Sequence, residues 1–292
     1  MSHSIEGRVA IVTGAGSGLG REHALFLGRR GARVIVNDLA HAAAESVAAD
    51  IEAAGGTALP CAASVTDAGA IAEMVGSALR KWGRIDILIS NAGILRDKSF
   101  AKMSLDDFRL VIEVHLMGSA ICTRAVWEAM REQKYGRIVM TTSSSGLYGN
   151  FGQANYSAAK MGIVGLMQTL AIEGRKYDIR VNCLAPSAAT RMTEGVLPEA
   201  DLKALSPALV SPGLLALVGE DAPTRAILCA GAGHFARAYV TLSAGEYVGG
   251  GSDADERVIA QWSKISDRAG EMVPDYGFTQ AEREVASAKA HS

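Results

Sequence analysis

The sequence predicts an α/β fold in which a doubly wound parallel sheet carries helices on both faces. Short runs rich in Val and Ile alternate with longer helical stretches over residues 8–230. The connections are mostly short, which is typical of parallel strands joined by crossover helices. A glycine-rich turn directly follows the first of these runs. The chain has 292 residues, 49% of them hydrophobic, so it can bury one large core.

Hydrophobic periodicity predicts where the individual strands and helices lie. Short β-branched runs between turn residues indicate buried strands, and longer stretches with helical periodicity indicate helices. The capping-box pattern Ser104-Leu105-Asp106-Asp107 opens the fourth helical region. The predicted strands are 8–12, 33–37, 57–61, 86–90, 136–141, 179–184 and 226–230. The predicted helical regions are 19–30, 40–54, 67–81, 104–132 and 154–176.

The turn after the first strand, residues 13–20, has the composition of a nucleotide-binding loop. In a strand, turn and helix of this kind, backbone N–H groups and the helix N-terminus face one point, which suits a pyrophosphate. Glycine lets the backbone turn tightly and approach a ligand without a Cβ atom in the way. The residues predicted to bind the nucleotide here are Gly14, Ser17, Gly18, Leu19 and Gly20.

Asp38 ends the second predicted strand, about 20 residues after the loop. A carboxylate at this point can accept hydrogen bonds from both hydroxyls of an adenosine ribose, and it repels a 2′-phosphate. Arg21 and Arg33 argue the other way, because an arginine near this pocket can hold a phosphate. We expect Asp38 to outweigh them, so NAD is favoured over NADP.

Tyr156 and Lys160 are four residues apart, and Ser143 precedes them. On a helix this spacing places both side chains on one face, one turn apart. A phenol has a pKa of about 10, and a nearby ammonium favours the phenolate and lowers that pKa. Ser143, at the end of a strand beside the helix, can donate a hydrogen bond to the same substrate oxygen. The three side chains are therefore predicted to move a proton on and off an alcohol oxygen.

These motifs together resemble the short-chain dehydrogenase/reductase family in order and spacing, over residues 6–232. A closer resemblance is to the (3R)-hydroxyacyl-CoA dehydrogenase domain of multifunctional enzyme type 2 of β-oxidation. It rests on residues 91–100, 135–160, 171–177 and 191–193. The resemblance implies a Rossmann-type fold, a bound NAD and oxidation of a secondary alcohol to a ketone.

The resemblance also implies dinucleotide contacts outside the glycine loop. Ser64 stands where the family commonly has an aspartate, and Ser90 stands where a second asparagine is usual. After Pro186, Ser187 replaces a glycine of the family, and Thr190 comes one residue early. The further predicted cofactor-binding residues are Ser64, Val65, Asn91, Ala92, Gly93, Tyr156, Lys160, Pro186, Ala189 and Thr190.

His115 occupies the place of a catalytic asparagine of the family, and the hydroxyacyl-CoA branch is expected to carry histidine here. An unperturbed imidazole titrates at a pKa of about 6.5 and both donates and accepts hydrogen bonds. We therefore predict His115 as a fourth catalytic residue that supports the proton relay of Tyr156 and Lys160. A histidine satisfied within the core is the alternative.

The predicted substrate contacts are Ser143, Gln153 and Tyr156. By resemblance Tyr148 and Phe151 also face the substrate, and residues 193–212 correspond to the substrate loop. The apolar content of that loop suits a fatty acyl chain or a steroid. The favoured substrate is a (3R)-3-hydroxyacyl-CoA. A hydroxysteroid dehydrogenase or a 3-oxoacyl carrier-protein reductase is the alternative within the family, and a catalytically silent nucleotide-binding protein is the alternative outside it.

Residues 1–234 are predicted to form one dinucleotide-binding catalytic domain, and residues 235–292 exceed the family core. This extension is expected to pack on the same domain or on a neighbouring subunit. By analogy with the family, the helical regions 104–132 and 154–176 form the interface of a homodimer or homotetramer.

Composition excludes several other classes. The net charge is −2 without a basic block, so we expect no nucleic-acid partner. Four scattered cysteines form no metal-ligand pattern, and reduced thiols are expected. No uninterrupted apolar run approaches the length of a membrane span, and the N-terminus lacks a signal-peptide core. The chain ends Lys289-Ala290-His291-Ser292, which is not the peroxisomal tripeptide, so a cytoplasmic location is predicted.

Overall fold

The computed structural model describes residues 4–189 and 199–291, with only the backbone of residues 199–201. The predicted fold class is confirmed. An eight-stranded sheet has the order β3-β2-β1-β4-β5-β6-β7-β8, and helices pack against it. The strands are β1 Val9–Thr13, β2 Arg33–Asp38, β3 Thr57–Ala62, β4 Ile87–Ser90, β5 Gly136–Thr141, β6 Ile179–Ser187, β7 Ile227–Gly231 and β8 His234–Ala238.

Strands β1 to β7 pair in parallel. In the register of the central strand, Ile11 lies opposite Ile35 of β2 and Leu88 of β4, and all three are fully buried. Strand order reverses between β1 and β4, because β2 and β3 lie on one side of β1 and β4 to β7 on the other. In a doubly wound sheet this reversal opens a crevice at the carboxyl ends of the strands, where ligands bind.

Strand β8 was not predicted from the sequence. It follows β7 after the two residues Ala232 and Gly233, whose φ angles are 50° and 76°. Two consecutive residues with positive φ form the tight hairpin turn that matches the twist of paired strands. The strand is short and mostly exposed, and it has no β-branched residue, so it lacks the buried run that identifies the other strands.

The helices follow the predicted regions closely, and Ser104 caps α4 by accepting a hydrogen bond from the Asp107 N–H at 3.0 Å. A π-helical turn, Glu113–Met117, joins α4 to α5 within one continuous helical segment. The helices are α1 Gly18–Arg29, α2 His41–Ala53, α3 Ala68–Trp82, α4 Leu105–Ile112, α5 Gly118–Gln133, α6 Ser144–Tyr148, α7 Ala154–Gly174, α8 Glu199–Ala204, α9 Pro212–Val218, α10 Ala254–Ala260, α11 Trp262–Ile265 and α12 Phe278–Ala290.

The continuous helical segment Leu105–Gln133 corrects one expectation. The segment has 29 residues, and an 18-residue window within it has a mean hydropathy of 1.3, which is long and apolar enough to cross a membrane by length and composition. The count of uninterrupted apolar residues missed it, because single polar residues divide the segment. About 39% of its apolar window is buried in the protein, and a core helix passes the same test, so this is weak evidence for a span.

The chain divides into two compact units, with the boundary between Arg237 and Ala238. The first unit holds β1 to β7 and helices α1 to α9, close to the predicted catalytic domain. The second holds α10 to α12 and an isolated antiparallel bridge between Leu242 and Met272. No described residue of 238–291 is fully buried. How this extension packs stays a prediction.

Candidate active site

The glycine loop connects the carboxyl end of β1 to α1, at the point where strand order reverses. Gly14 and Gly18 adopt left-handed φ angles of 61° and 55°, which disfavour any other residue. A Cβ atom on Gly20 would lie 2.1 Å from the backbone oxygen of Gly14. The loop therefore folds back tightly on the first turn of α1, and its backbone N–H groups lie at the helix N-terminus, where a pyrophosphate is predicted to bind.

Asp38 ends β2 and faces this loop. Its Oδ2 accepts a hydrogen bond from the backbone N–H of Gly16 at 2.9 Å, and its Oδ1 accepts one from the Ala40 N–H at 3.1 Å. A Cβ atom on Gly16 would lie 2.8 Å from Oδ2. The predicted ribose acceptor is thus fixed beside the loop by two backbone donors, and Gly16 joins the residues that shape the nucleotide site.

Asn91, Ala92 and Gly93 follow β4, where they form the other wall of the crevice. The Asn91 side chain donates to the Thr13 backbone oxygen at 3.1 Å, and the Thr13 hydroxyl accepts the N–H groups of Asn91 and Ala92 at 3.0 and 3.1 Å. The Asn91 side chain therefore holds the glycine loop in place by binding the backbone of the loop. Thr13, at the end of β1, holds the turn after β4 through its hydroxyl, and the sequence motif did not predict this role.

Ser64 and Val65 lie after β3. The Ser64 hydroxyl is 2.8 Å from that of Thr66 and accepts the Thr66 N–H at 3.3 Å, so it is engaged within its own turn. Val65 is buried against Gly118, where a Cβ atom would lie 2.7 Å from its Cγ2 atom. These contacts place the turn against the start of α5, and direct adenine contacts by Ser64 and Val65 stay predictions.

The structure brings the predicted catalytic side chains together. Ser143 caps α6 directly after β5, and its side chain faces the Tyr156 phenol, whose pKa it lowers. Lys160 lies one turn further along α7, with its Nζ atom 5.5 Å from the centroid of the Tyr156 ring. This ammonium donates to the Thr141 backbone oxygen at 2.6 Å, while the Thr142 hydroxyl donates to the Lys160 backbone oxygen at 2.7 Å. The end of β5 and the residue after it thereby fix the position of Lys160, and of the helix that carries it, relative to the sheet.

Burial governs the protonation of this pair, which differs from the sequence expectation. Desolvation raises the pKa of Tyr156, the hydrogen bond from Ser143 lowers it, and the charge of Asp97 raises it further. The pKa of Lys160 falls to about 7, because its ammonium is buried. The expectation that Lys160 brings the phenol pKa below its ordinary value is therefore not met: burial outweighs the other influences on Tyr156.

His115 lies in the π-helical turn between α4 and α5, and it contacts Tyr156 edge to face with ring centroids 5.2 Å apart. Its Nε2 atom lies 2.8 Å from the Ile94 backbone oxygen and 3.0 Å from the Ile94 backbone nitrogen. Burial, and then the charge of Lys160, lower the pKa of His115 to about 3. The ring is therefore neutral at physiological pH, and its buried Nδ1 atom has no hydrogen-bond partner among the described residues.

Gln153 immediately precedes α7 and is hydrogen-bonded at both ends of its amide. Its Nε2 donates to Asp97 Oδ2 at 2.7 Å, and its Oε1 accepts from Asn150 Nδ2 at 3.0 Å. Nearby, Tyr148 and Phe151 are 72% and 90% exposed, so both are free to meet an apolar substrate. Asp97 was not among the predicted site residues, because a single acidic residue in a loop gives no periodic or motif signal.

Strand β6 leads from the core to the remaining predicted contacts. Pro186 lies near its carboxyl end, and the Ala189 N–H donates to the Leu205 backbone oxygen at 2.6 Å. Thr190 lies outside the described residues, as do residues 193–198 of the predicted substrate loop. The described part of that loop is exposed or half-buried up to Leu209 and packs inward only at its end, where Val210 and Ser211 are buried.

The residues at the crevice fit a nicotinamide dinucleotide. The glycine loop is folded too tightly to accept Cβ atoms on Gly16 or Gly20, and the Asp38 carboxylate lies beside it at the end of β2. The Ser143 hydroxyl, the Tyr156 phenol and the Lys160 ammonium converge near the carboxyl end of β5. Among the described residues, no cluster of His, Cys, Asp and Glu could hold a metal ion. A groove of about 610 Å³ lined by Trp127, Arg131, Ile172 and Tyr177 contains none of the site residues.

The fold and this site define an oxidoreductase of the short-chain dehydrogenase family, to which the chain belongs: the short chain dehydrogenase model matches residues 8–200. The chain is 53% identical over 225 residues to peroxisomal multifunctional enzyme type 2 of Mus musculus, a match that covers 74% of this chain and 30% of the relative. It is 45% identical over 276 residues to peroxisomal hydratase-dehydrogenase-epimerase of Saccharomyces cerevisiae, with 90% and 30% covered. The chain thus spans less than a third of these relatives.

Other similar proteins include a reductase and two solved structures. The 3-oxoacyl-[acyl-carrier-protein] reductase of a Synechocystis strain is 43% identical over 198 residues, covering 67% of this chain and 80% of the relative. Among solved structures, full-length peroxisomal multifunctional enzyme type 2 from Drosophila melanogaster has a TM-score of 0.82 and 37% identity, covering 97% of this chain and 49% of that chain. A 7α-hydroxysteroid dehydrogenase complexed with NADH has a TM-score of 0.74 and 30% identity, covering 79% and 95%. The predicted family and the resemblance to multifunctional enzyme type 2 are confirmed.

Proposed function

We propose that the protein oxidises a secondary alcohol to a ketone with NAD, and that its substrate is a (3R)-3-hydroxyacyl-CoA. The observation that carries the chemistry is the convergence of three side chains: Ser143 lies close enough to Tyr156 to lower the pKa of its phenol, and Lys160 lies one turn away. A phenol held in this way can exchange a proton with a substrate oxygen placed between the two hydroxyls. A carbinol bound there would lie at the carboxyl ends of the strands, on the side where the dinucleotide is expected.

The chain supplies the proton transfer, and NAD when bound supplies the hydride acceptor. Tyr156 takes the proton of the substrate hydroxyl in its phenolate form, which the nearby Lys160 ammonium favours, and Ser143 donates a hydrogen bond to that oxygen as it becomes a carbonyl. Lys160, fixed by the Thr141 carbonyl, provides an ammonium close to the phenol and to the predicted position of the nicotinamide ribose. The buried setting of all three side chains strengthens each of these interactions relative to water.

NAD is proposed over NADP because Asp38, at the end of β2 beside the glycine loop, is the predicted acceptor for the ribose hydroxyls. The backbone N–H groups of Gly16 and Ala40 hold both of its oxygens, so the carboxylate remains in place where a 2′-phosphate would have to lie. The test is a comparison of kcat/KM with NAD and NADP for the wild type and for Asp38→Asn. The preference for NAD should fall at least tenfold in the variant, and a wild type that prefers NADP would refute the proposal.

The acyl-CoA substrate is proposed from the similarity to the peroxisomal enzymes and from the exposed apolar side chains of Tyr148 and Phe151. The alternatives, reduction of a 3-oxoacyl carrier protein or oxidation of a hydroxysteroid, are favoured by the similar reductase and by the steroid dehydrogenase structure. Initial rates with (3R)- and (3S)-hydroxyacyl-CoA, a 3-oxoacyl carrier protein and a hydroxysteroid, each with both dinucleotides, separate the three. The proposal requires the (3R) thioester with NAD to have the highest kcat/KM.

We also propose a homodimer or homotetramer. Along α4, the π-helical turn and α7, the side chains of Leu105, Met117 and Met161 are 66%, 43% and 42% exposed. On the extension, Trp262 and Phe278 are 63% and 73% exposed. A second copy that covers such faces would remove apolar area from water. Light scattering should give the mass of two or four chains, and a monomer at micromolar concentration would contradict this.

A further inference from the structure

The segment Arg96–Lys98, in the loop after β4, is fastened to the start of the catalytic helix by three hydrogen bonds. The buried Asn155 donates its Nδ2 to the Arg96 backbone oxygen at 3.1 Å. The Lys98 N–H donates to the Gly152 backbone oxygen at 2.9 Å. Gln153 donates to the Asp97 carboxylate at 2.7 Å. Asp97 therefore holds a fixed position relative to Tyr156, although its own side chain is exposed.

The charge of Asp97 is not balanced by its neighbours. Arg96 and Lys98 flank it in the sequence, but both turn to Asp107, with N–O distances of 3.9 and 3.3 Å. Within residues 4–189 and 199–291, no cation lies within ion-pair distance of the Asp97 carboxylate. Its only described side-chain partner is the neutral amide of Gln153. The Asp97 carboxylate therefore keeps a negative charge without a counter-ion among the described residues.

Four titratable groups surround Tyr156 and the lysine beside it, in addition to the Ser143 hydroxyl and the burial that act on the phenol. His115 approaches from the π-helical turn and is neutral, because its pKa is about 3. Lys160 approaches from α7, with a pKa of about 7, and the Cys183 thiol on β6, with a pKa of about 12, faces that lysine. Asp97 approaches from the loop after β4, and its charge raises the pKa of Tyr156. Asp97 is the one acidic group acting on the phenol within the described residues.

We infer that Asp97 is a positioning residue that anchors Gln153 at the start of the catalytic helix and sets an unpaired negative charge on that side of Tyr156. The inference rests on the proposed function, since it concerns the same tyrosine. Asp97 touches neither the hydroxyl of Ser143 nor the reacting oxygen, and it acts through Gln153 and through its charge. Such a carboxylate favours proton donation to a ketone over proton abstraction from an alcohol.

The test compares charge-removing and charge-keeping variants. In Asp97→Asn and Asp97→Ser the acceptor for Gln153 remains but the charge is gone, and in Asp97→Glu the charge remains. Asp106, which pairs with Arg109 on α4 at 3.0 Å and is 93% exposed, supplies the control Asp106→Asn. The readout is the inflection of kcat/KM against pH for alcohol oxidation at saturating NAD. It should move to lower pH in the two neutral variants and stay in place in Asp97→Glu and Asp106→Asn.

Ultraviolet difference titration of the phenols gives a second readout that needs no turnover. The signal of Tyr156 is the difference between each protein and the same protein carrying Tyr156→Phe. Its midpoint should move to lower pH without the Asp97 charge. Unmoved midpoints in both neutral variants, with activity lowered equally at every pH, would overturn the inference and leave Asp97 a purely structural residue. A wild type that oxidises no secondary alcohol would refute the proposed function, while the titration would still decide the role of Asp97.

Discussion

The ring of His115 occupies the space that a side chain on Gly93 would need: a Cβ atom built on Gly93 would lie 2.2 Å from the His115 Cε1 atom. The same ring holds the backbone of Ile94 through Nε2 and meets Tyr156 edge to face. The histidine thus links the cofactor-facing turn after β4 to the catalytic tyrosine by packing. Gly93 is part of this arrangement because only a residue without a Cβ atom leaves room for the imidazole.

Gly93→Ala should therefore be costly only while His115 is present. In the wild type the added methyl must displace a ring buried on every side, which we expect to destabilise the fold by about 1 to 3 kcal/mol. In a His115→Ala background the same change should cost at least 1 kcal/mol less. Urea unfolding of the four proteins measures this coupling. Additive free energies of unfolding would show that the two residues do not compete for space.

The pH dependence of activity should not contain a titration of His115. Its pKa of about 3 keeps the imidazole neutral throughout the range in which an ordinary histidine titrates. His115→Asn should lower kcat, since Ile94 and Tyr156 lose support, but leave the inflections of the pH–rate profile where they are. Loss of an inflection between about pH 5 and 8 would restore the imidazolium relay predicted from the sequence.

Lys160→Met should make the protein inactive and more stable. The folded pKa of Lys160 is about 7, against an ordinary value of 10.5, so burying this amine opposes folding. That opposition is full below pH 7 and disappears as pH rises to 10.5. Allowing for the lost bond to Thr141, we expect a gain of about 1 to 3 kcal/mol at pH 7.

Denaturant titrations at several pH values measure the difference between Lys160→Met and the wild type. The gain should shrink toward pH 10.5, and a variant less stable at pH 7 would contradict the buried-amine account. Lys176→Met is a suitable control, because Lys176 lies on the exposed turn after α7 and makes no contact with the site.

Acid should destabilise the fold through His23. This histidine on α1 is fully buried, its Nδ1 atom lies 2.8 Å from the Ser211 hydroxyl, and burial lowers its pKa to about 3. The unfolded chain binds the proton below its ordinary value of 6.5, so stability is present above pH 6.5 and is lost as pH falls toward 3. The expected loss from this one group is about 1.4 kcal/mol per pH unit.

His23→Gln removes that titration while keeping a polar side chain for Ser211. Between about pH 6 and 4, the stability of the variant should fall less steeply than that of the wild type, by close to one proton. His41→Gln, which alters a 60% exposed histidine, is the control and should leave the slope unchanged. An equal slope in His23→Gln would mean that His23 is protonated in the folded state.

The sequence specified the sheet well because its central strands are buried on both faces. The runs that hold Ile11, Ile35 and Leu88 can only be interior strands, and the glycine loop fixed their connection to α1. Strand β8 escaped prediction because an exposed edge strand carries no apolar run. The likeness in sequence to a known family, confirmed by the family match, then supplied the order of the motifs.

The candidate site was predicted in part. The spacing of Tyr156 and Lys160 foretold that they share a helix face, but spacing does not report burial, which controls their protonation. Thr13 and Asp97 were missed because their roles depend on contacts with residues 78 and 56 positions away. Such long-range partners become visible only when the strands and loops are placed in space.

The most direct test of the account is the activity of Tyr156→Phe with a (3R)-3-hydroxyacyl-CoA and NAD. Phenylalanine keeps the ring that packs on His115 and removes only the hydroxyl that faces Ser143. Activity should fall by about 10² to 10⁴, with NAD binding and thermal stability close to those of the wild type. A folded Tyr156→Phe protein that oxidises the thioester within threefold of the wild-type rate would contradict the claim that this phenol is the base.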